Sequence, residues 1–162
     1  MDLYNHLLEL LNAKHGKCFY MGASNKTLNI IKKRLTREHP YIDAEFYSPP
    51  YKKELSDEEN INILNVINEY KPDVLFIAMT APKQEKWLNK HKDHIDVNII
   101  CSIGAVFDFY AGTVERSSQF FIDHHIEWLE RLFREPKRLW RRSFISTPLF
   151  LWDMLLYKLK IK

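Results

Sequence analysis

The sequence predicts an α/β fold: a parallel sheet of about four strands with helices on both faces, followed by a basic, apolar helical tail. Three observations carry this. Short apolar runs of strand length alternate with longer segments of helical apolar spacing through residues 2–112. Two of those runs, "DVLFIAM" (73–79) and "VNIICSI" (97–103), are apolar almost without interruption. That is the pattern of strands covered on both faces, as parallel strands are. Charge is also divided unevenly. Residues 130–162 hold nine Lys or Arg against three Asp or Glu, and the remaining 129 residues hold 15 against 18. A mildly acidic body, 1–130, is therefore expected to precede a basic appendage, 131–162.

The elements follow in order. Leu3, Leu7, Leu10 and Leu11 give 2–15 a helical spacing, with Gly16 as its stop. "KCFYMG" (17–22) is a short buried strand closed by Gly22. "NKTLNIIKKRLTREH" (25–39) is an amphipathic helix that buries Leu28, Ile31 and Leu35 and stops at Pro40. "IDAEFYS" (42–48) alternates like a strand, and "SPPYKKE" is a loop broken by Pro49 and Pro50. Ser56 with Glu59 three residues on is a capping box ahead of the stripe Ile63, Val66, Ile67. After the strand 73–79, "PKQEKWLNKHK" (82–92) is expected as a helix with Pro82 at its first position. "GAVFDFYAG" (104–112), after the strand 97–103, is expected as a loop between glycines. Helices are expected at about 117–135, 136–146 and 148–160, the last two opened by Pro136 and Pro148.

Composition excludes several classes. The chain has 162 residues, 46% hydrophobic and 28% charged, which is enough to bury a core and too apolar for disorder. Cys18 and Cys101 sit in apolar runs and are expected as buried free thiols. "MDLYNHLLELL" lacks the basic flank and cleavage site of a signal peptide, and no stretch reaches the roughly 20 apolar residues that span a bilayer. His91, His94, His124 and His125 have no carboxylates at ligand spacing, and there is no DxD triplet to hold Mg²⁺. No nucleic-acid module is present, and the basic residues of the tail are interleaved with aliphatics.

In a doubly wound sheet ligands bind beyond the carboxyl ends of the strands, here Gly22–Asn25, Ser48–Tyr51, Thr80–Glu85 and Gly104–Gly112. Gly22-Ala23-Ser24-Asn25 is either a plain turn or a phosphate cradle built of N–H groups at a helix start. Glu85 suits the first turn of a helix on dipole grounds alone, but Lys83 does not, and a ligand phosphate would account for it. Gln84 can read a sugar or base as donor and acceptor together. Asp108 caps a local turn or binds a ligand hydroxyl. Arg131, Arg134, Arg138 and Arg141 are spaced by three, four and three with Arg142 adjacent, so they form either a solvated helix face or an anion site. "PLFLWDMLLYKLKIK" (148–162) is apolar nearly all round and then basic. It suits a membrane interface, or a terminal helix docked on the core or on another subunit.

Several of these segments match one family. "PDVLFIAMTAPKQEKW", "SIGAVFDFYAGTVERSS" and "IEWLERLFREPKRLWRR" resemble, in order and spacing, the three signature blocks of the WecG/TagA/CpsF glycosyltransferases. Pro82-Lys83-Gln84-Glu85, Gly104, Phe107-Asp108, Gly112, Glu127-Trp128, Arg131 and Glu135-Pro136-Lys137-Arg138 carry the match, and similarity extends over nearly the whole chain. The resemblance implies a Rossmann-like fold and an inverting transfer of an N-acetylmannosamine-type sugar from UDP to a polyprenyl-diphosphate-linked acceptor. It places that reaction at the cytoplasmic face of the plasma membrane, in teichoic acid, capsule or common-antigen synthesis, with no metal or other cofactor. Gln84, Asp108 and Arg131 are then expected in catalysis. Gly22, Ser24, Tyr51, Pro82, Lys83, Glu85, Gly104, Arg134, Arg138 and Arg142 are expected to bind substrate, and the arginine-rich tail to meet the pyrophosphate and an anionic membrane surface. The resemblance also implies a region ahead of "MDLYNHLLELL" that carries the family's proposed catalytic aspartate. This chain shows no counterpart of it, since Asp2 lies in the wrong block. The family's His/Asp-Gly-Tyr loop reads Pro49-Pro50-Tyr51, and the glycine before its Ala/Ser-Pro-Lys-Gln is Thr80. A second expectation follows: a catalytically deficient or split-enzyme, UDP-sugar-binding, membrane-associated partner protein. For either expectation the partner is a second copy of the chain or a separate N-terminal chain.

Overall fold

A computed structural model of the chain describes residues 2–114, 121, 123, 124, 132, 136, 140 and 142–160. It divides into two compact units, Met1–Glu115 and Arg116–Lys162. The first contains helix α1 (Asp2–Lys14), strand β1 (Lys17–Gly22), α2 (Asn25–Glu38), β2 (Asp43–Tyr47), α3 (Asp57–Tyr70), β3 (Val74–Ala78), α4 (Lys83–His91), a 3₁₀ turn (Lys92–His94), β4 (Ile99–Ser102) and α5 (Val106–Ala111). All strand pairs are parallel, in the order β2-β1-β3-β4. This is the parallel α/β sheet of a Rossmann-like fold.

The two-residue period of the strands sorts the core into two layers. Cys18 and Tyr20 of β1 and Val74, Phe76 and Ala78 of β3 face α1, α2 and α5, where they pack with Leu8, Leu28, Ile31, Phe107 and Tyr110. Phe19 and Met21, with Leu75 and Ile77, face α3 and α4 and pack with Ile63, Ile67 and Trp87. The first layer is aromatic: Tyr20 stacks on Phe46 at 5.0 Å, and the Tyr4 and Tyr20 hydroxyls hydrogen-bond at 2.8 Å inside it. Arg34 joins α2 to α5. Its Nη1 donates to the Tyr110 carbonyl, its Nε bonds Glu38, and its guanidinium lies 4.3 Å from the Tyr110 ring centre.

Local signals account for the element ends. The Ser56–Glu59 capping box forms in full: Ser56 Oγ accepts from Glu59 N, and Glu59 Oε2 accepts from Ser56 N. The stop of α1 differs from expectation. His15, not Gly16, takes the left-handed conformation (φ 52°), and Gly16 N donates back to the Leu11 carbonyl at 2.8 Å. A Cβ at Gly16 would lie 2.7 Å from Leu11 Cδ2, the tip of a side chain that would have to shift.

Four other expectations are corrected. Pro82 is the N-cap of α4 rather than its first residue, with ψ 16° and its carbonyl accepting from Lys86 N. Residues 104–112 are not a loop throughout. Val106–Ala111 is helical, with Phe107 and Tyr110 three apart and both buried, a pattern too short to stand out in the sequence. The strand in 97–103 is not covered on both faces: β4 is the edge of the described sheet, Ile99 is 44% exposed and Cys101 only half-buried, while Cys18 is buried as expected. In the second unit, a π-helical turn (Arg142–Ser146) runs straight into α6 (Thr147–Lys160), so Pro148 lies inside a continuous helical path instead of opening a new helix. Proline cannot donate to the carbonyl four residues back, and the wider turn ahead of it takes up that gap in the ladder. The helices expected across 117–141 fall largely outside the described residues.

Candidate functional site

Strand order reverses between β1 and β3. The helix after β1 lies on one face of the sheet and the helix after β3 on the other, so a crevice opens at their carboxyl ends. It is a cleft of about 1130 Å³, walled by residues 22–25 after β1, 48–55 after β2, 78–83 after β3, and Lys86, Trp87, Lys90 and His91 of α4.

The β1 side is built of backbone. Gly22 has φ 112°, and a Cβ on it would lie 2.0 Å from the Ala78 carbonyl oxygen, so only glycine fits where the two strand ends part. Ala23, also left-handed (φ 57°), donates its N–H to that same carbonyl at 2.9 Å, and its own carbonyl accepts from Ser48 Oγ at 2.8 Å. The exits of β1, β2 and β3 are thereby laced together. Ser24 is the N-cap of α2, with Oγ accepting from Thr27 N at 3.2 Å. Its side chain serves the helix, and it brings the start of a 14-residue helix to the cleft.

The α4 side is built of side chains. Lys83, Lys86 and Lys90 all reach the cleft, and Lys52 and Lys53 stand in the loop after β2, against the one lining carboxylate among the described residues, that of Glu54. Lys83 Nζ donates to the Lys52 carbonyl at 2.8 Å and closes that loop onto α4. Lys52 Nζ pairs with Glu59 at 2.6 Å, and with the Ser56 N–H it holds the Glu59 carboxyl below its usual range. Lys90 lies 3.8 Å from Asp57. Beneath them Trp87 Nε1 donates to Asn60 Oδ1 at 2.8 Å, and the Trp87 and His91 ring centres are 5.0 Å apart. Burial, reinforced by Lys90 and His94, pushes His91 below the ordinary histidine value, so a neutral imidazole lines a cleft of positive charge.

Of the residues expected from sequence, the structure brings Gly22, Ser24, Tyr51, Pro82 and Lys83 to this cleft, Tyr51 almost fully exposed at 98%. Gln84, Glu85, Gly104 and Asp108 are not among its walls. Gln84 is buried, its Oε1 accepting from Met79 N at 3.1 Å, and it backs the turn that follows β3. Gly104, after β4, adjoins it: a Cβ there would lie 3.9 Å from Gln84 Oε1. Glu85 is exposed on α4. Asp108 is half-buried in α5 and accepts from Thr113 Oγ1 at 3.1 Å. Arg131, Arg134 and Arg138 lie outside the described residues, and for Arg142 only the backbone, in the π-helical turn, is described. Lys52, Lys53, Lys86 and Lys90 were not singled out from sequence, although the three-then-four spacing of Lys83, Lys86 and Lys90 was there to mark one helix face. Among the described residues, no group of three His, Cys, Asp or Glu could hold a metal, and no helix is long and apolar enough to cross a membrane.

Comparison with known proteins places the chain in a family. The chain is similar to the N-acetylglucosaminyldiphosphoundecaprenol N-acetyl-beta-D-mannosaminyltransferase of Bacillus spizizenii, 31% identical over 147 residues that cover 91% of this chain and 54% of that protein. It is also similar to the protein of the same name from Staphylococcus aureus, 28% identical over 162 residues that cover all of this chain and 61% of that protein. The chain thus spans little more than half the length of these relatives. The model of the glycosyl transferase WecG/TagA/CpsF family matches residues 1–162, and the chain belongs to that family.

Proposed function

We propose that the chain acts in an inverting glycosyl transfer, moving an N-acetylmannosamine-type sugar from a UDP-sugar to a polyprenyl-diphosphate-linked acceptor during cell-surface polysaccharide synthesis. The observation that carries this reading is the cleft at the β1/β3 reversal, lined among the described residues by five lysines and one carboxylate, in a chain of this family. In such a transfer the bond from the sugar's anomeric carbon to the UDP β-phosphate oxygen breaks. The acceptor hydroxyl oxygen bonds that carbon from the opposite face and gives up its proton to a base. UDP leaves with growing negative charge, which cations and N–H dipoles must meet.

In this reading Gly22, Ser24 and the start of α2 take the phosphates, Tyr51 the base, and Lys83, with Pro82 setting its position, the diphosphate. Arg131, Arg134, Arg138 and Arg142 supply further cations to the departing UDP. Gln84 acts by holding the turn after β3, with Glu85 and Gly104 beside it, and Asp108 braces the segment that ends at Gly112. Residues 1–130 form the nucleotide-sugar domain and 131–162 an appendage on the inner face of the plasma membrane. The exposure of Leu149, Phe150, Trp152 and Tyr157 on α6, each above one half, supports the appendage role.

The test is release of UDP from UDP-N-acetylmannosamine in the presence of a polyprenyl-diphosphate-linked N-acetylglucosamine, for the chain and for Arg131→Ala. Release that falls at least tenfold in the variant is expected. UDP binding without release would instead favour a binding partner over an enzyme, and unchanged release in the variant would remove Arg131 from the pyrophosphate role.

A further inference from the structure

The cleft has two ends able to attract anions, and they lie on opposite faces of the sheet. The β1–α2 turn belongs to the layer of α1, α2 and α5, and α4 belongs to the layer of α3. The β1 end offers backbone N–H groups at the start of a long helix, the arrangement that holds a nucleotide's phosphates in folds of this kind. The α4 end offers ammonium groups whose partners are unevenly shared. Lys83 is engaged by the Lys52 carbonyl and Lys52 by Glu59. Lys90 has only a 3.8 Å approach to Asp57, which is 92% exposed, and such a pair is nearly free in water. Lys53 and Lys86 have no carboxylate partner among the described residues, and both line the cleft. A volume of about 1130 Å³ exceeds what one small ligand needs, roughly 300–1,000 Å³.

We propose that Lys53, Lys86 and Lys90 form a second anion subsite, separate from the β1–α2 end, and that this subsite takes the diphosphate of the prenyl-linked acceptor. The assignment rests on the glycosyltransferase reading, in which both substrates carry a diphosphate and one cleft must hold two of them at once. Ammonium groups on flexible stems bind a diphosphate as point charges that can follow its oxygens. Like charges left side by side on one rim are relieved when a polyanion enters between them.

The experiment titrates the full chain with farnesyl diphosphate, farnesol and UDP, each at fixed ionic strength, by calorimetry. Farnesyl diphosphate is expected to bind with UDP already saturating, and farnesol at least tenfold more weakly. The Lys53→Ala/Lys86→Ala double variant is expected to lose at least tenfold in farnesyl diphosphate affinity and to keep its UDP affinity within twofold. Lys53→Arg/Lys86→Arg is expected to keep most of both. Failure of farnesyl diphosphate to bind, equal binding of farnesol, displacement by UDP, or parallel loss of both ligands in the alanine variant would each overturn the subsite. If UDP fails to bind while farnesyl diphosphate binds through these lysines, the donor reading falls and the subsite stands.

Discussion

The two walls of the cleft are made in different ways. On the β1 side the chemistry lies in the backbone: Gly22 and Ala23 hold left-handed conformations, the Ser24 side chain is occupied as a cap, and three strand exits are tied through Ala78 and Ser48. On the α4 side the backbone is an ordinary helix, and the chemistry lies in exposed lysines standing on a buried Trp87–Asn60 pair. A wall made of backbone cannot be changed without changing the fold. A wall made of exposed side chains can be altered at little cost in stability. Substitutions on the first wall should therefore act on stability, and those on the second on ligands.

The sharpest test of that contrast is Gly22→Ala. Left-handed φ and a Cβ placed 2.0 Å from a carbonyl oxygen combine there. Loss of about 3 kcal/mol or more is expected in urea unfolding. Gly112→Ala is the control: φ is 70° but nothing among the described residues lies within 4 Å of the added Cβ, and about 1 kcal/mol is expected. Equal losses at the two glycines would mean that the strand exits are not wedged at Ala78.

Next in size is Asn60→Ala, which strands the buried indole N–H of Trp87 beneath the lysine wall. A loss of about 1–3 kcal/mol is expected from the same unfolding measurement. A neutral result would show that the α3–α4 support is not what fixes that wall.

Lys83→Ala should separate the two properties. Its stability should stay within about 0.5 kcal/mol of wild type. UDP should bind about tenfold more weakly, as loss of one charge-assisted hydrogen bond implies. Amide exchange in 48–55 should quicken, because the tie from Lys83 Nζ to the Lys52 carbonyl is gone.

The smallest effect is the pH dependence at His91. Burial and then Lys90 and His94 lower its folded value below the ordinary 6.5, while Asp57 opposes them. In the window between that lowered value and 6.5 the unfolded chain binds more protons than the folded one. Stability from this group is therefore complete above 6.5 and is lost as pH falls through the folded value. His91→Gln should flatten the rise of unfolding free energy between pH 5 and 7. An unchanged slope would show that the His91 value is not lowered in the folded chain, by burial or by its neighbours.

Much of the scaffold was legible in the residues. The apolar runs at β1 and β3, the stripe of α2 and the Ser56–Glu59 box state their roles locally, because the signal and its cause lie within one turn or one strand. The site was less legible. Lys83 and Gln84 are adjacent, yet a helix turns successive side chains about 100° apart. Lys83 reaches the cleft, and Gln84 turns inward to Met79 N. Lys86 and Lys90 resembled any solvated helix face until the loop 48–55 was seen opposite them. Cys101 sits in an apolar run like that of Cys18, but its strand ends the described sheet and Cys18 lies in a central one.

By itself the sequence determined the class of the elements from α1 to α4 and of β4, the buried stripe of the helices and of β1 and β3, the alternation that demands parallel crossovers, and the signature blocks of the family; α5 and the half-covered faces of β4 escaped it. Those are carried by periodicity, capping chemistry and motif spacing, all of which are local. Only the tertiary structure decided the order β2-β1-β3-β4, and with it that residues 22–25, 48–55, 78–83 and Lys86, Trp87, Lys90 and His91 share one cleft. Periodicity records that a face is covered and not by what. The neighbour is chosen by the hand of each crossover and the packing of α2 and α4 on opposite faces, and these exist only once the strands have paired.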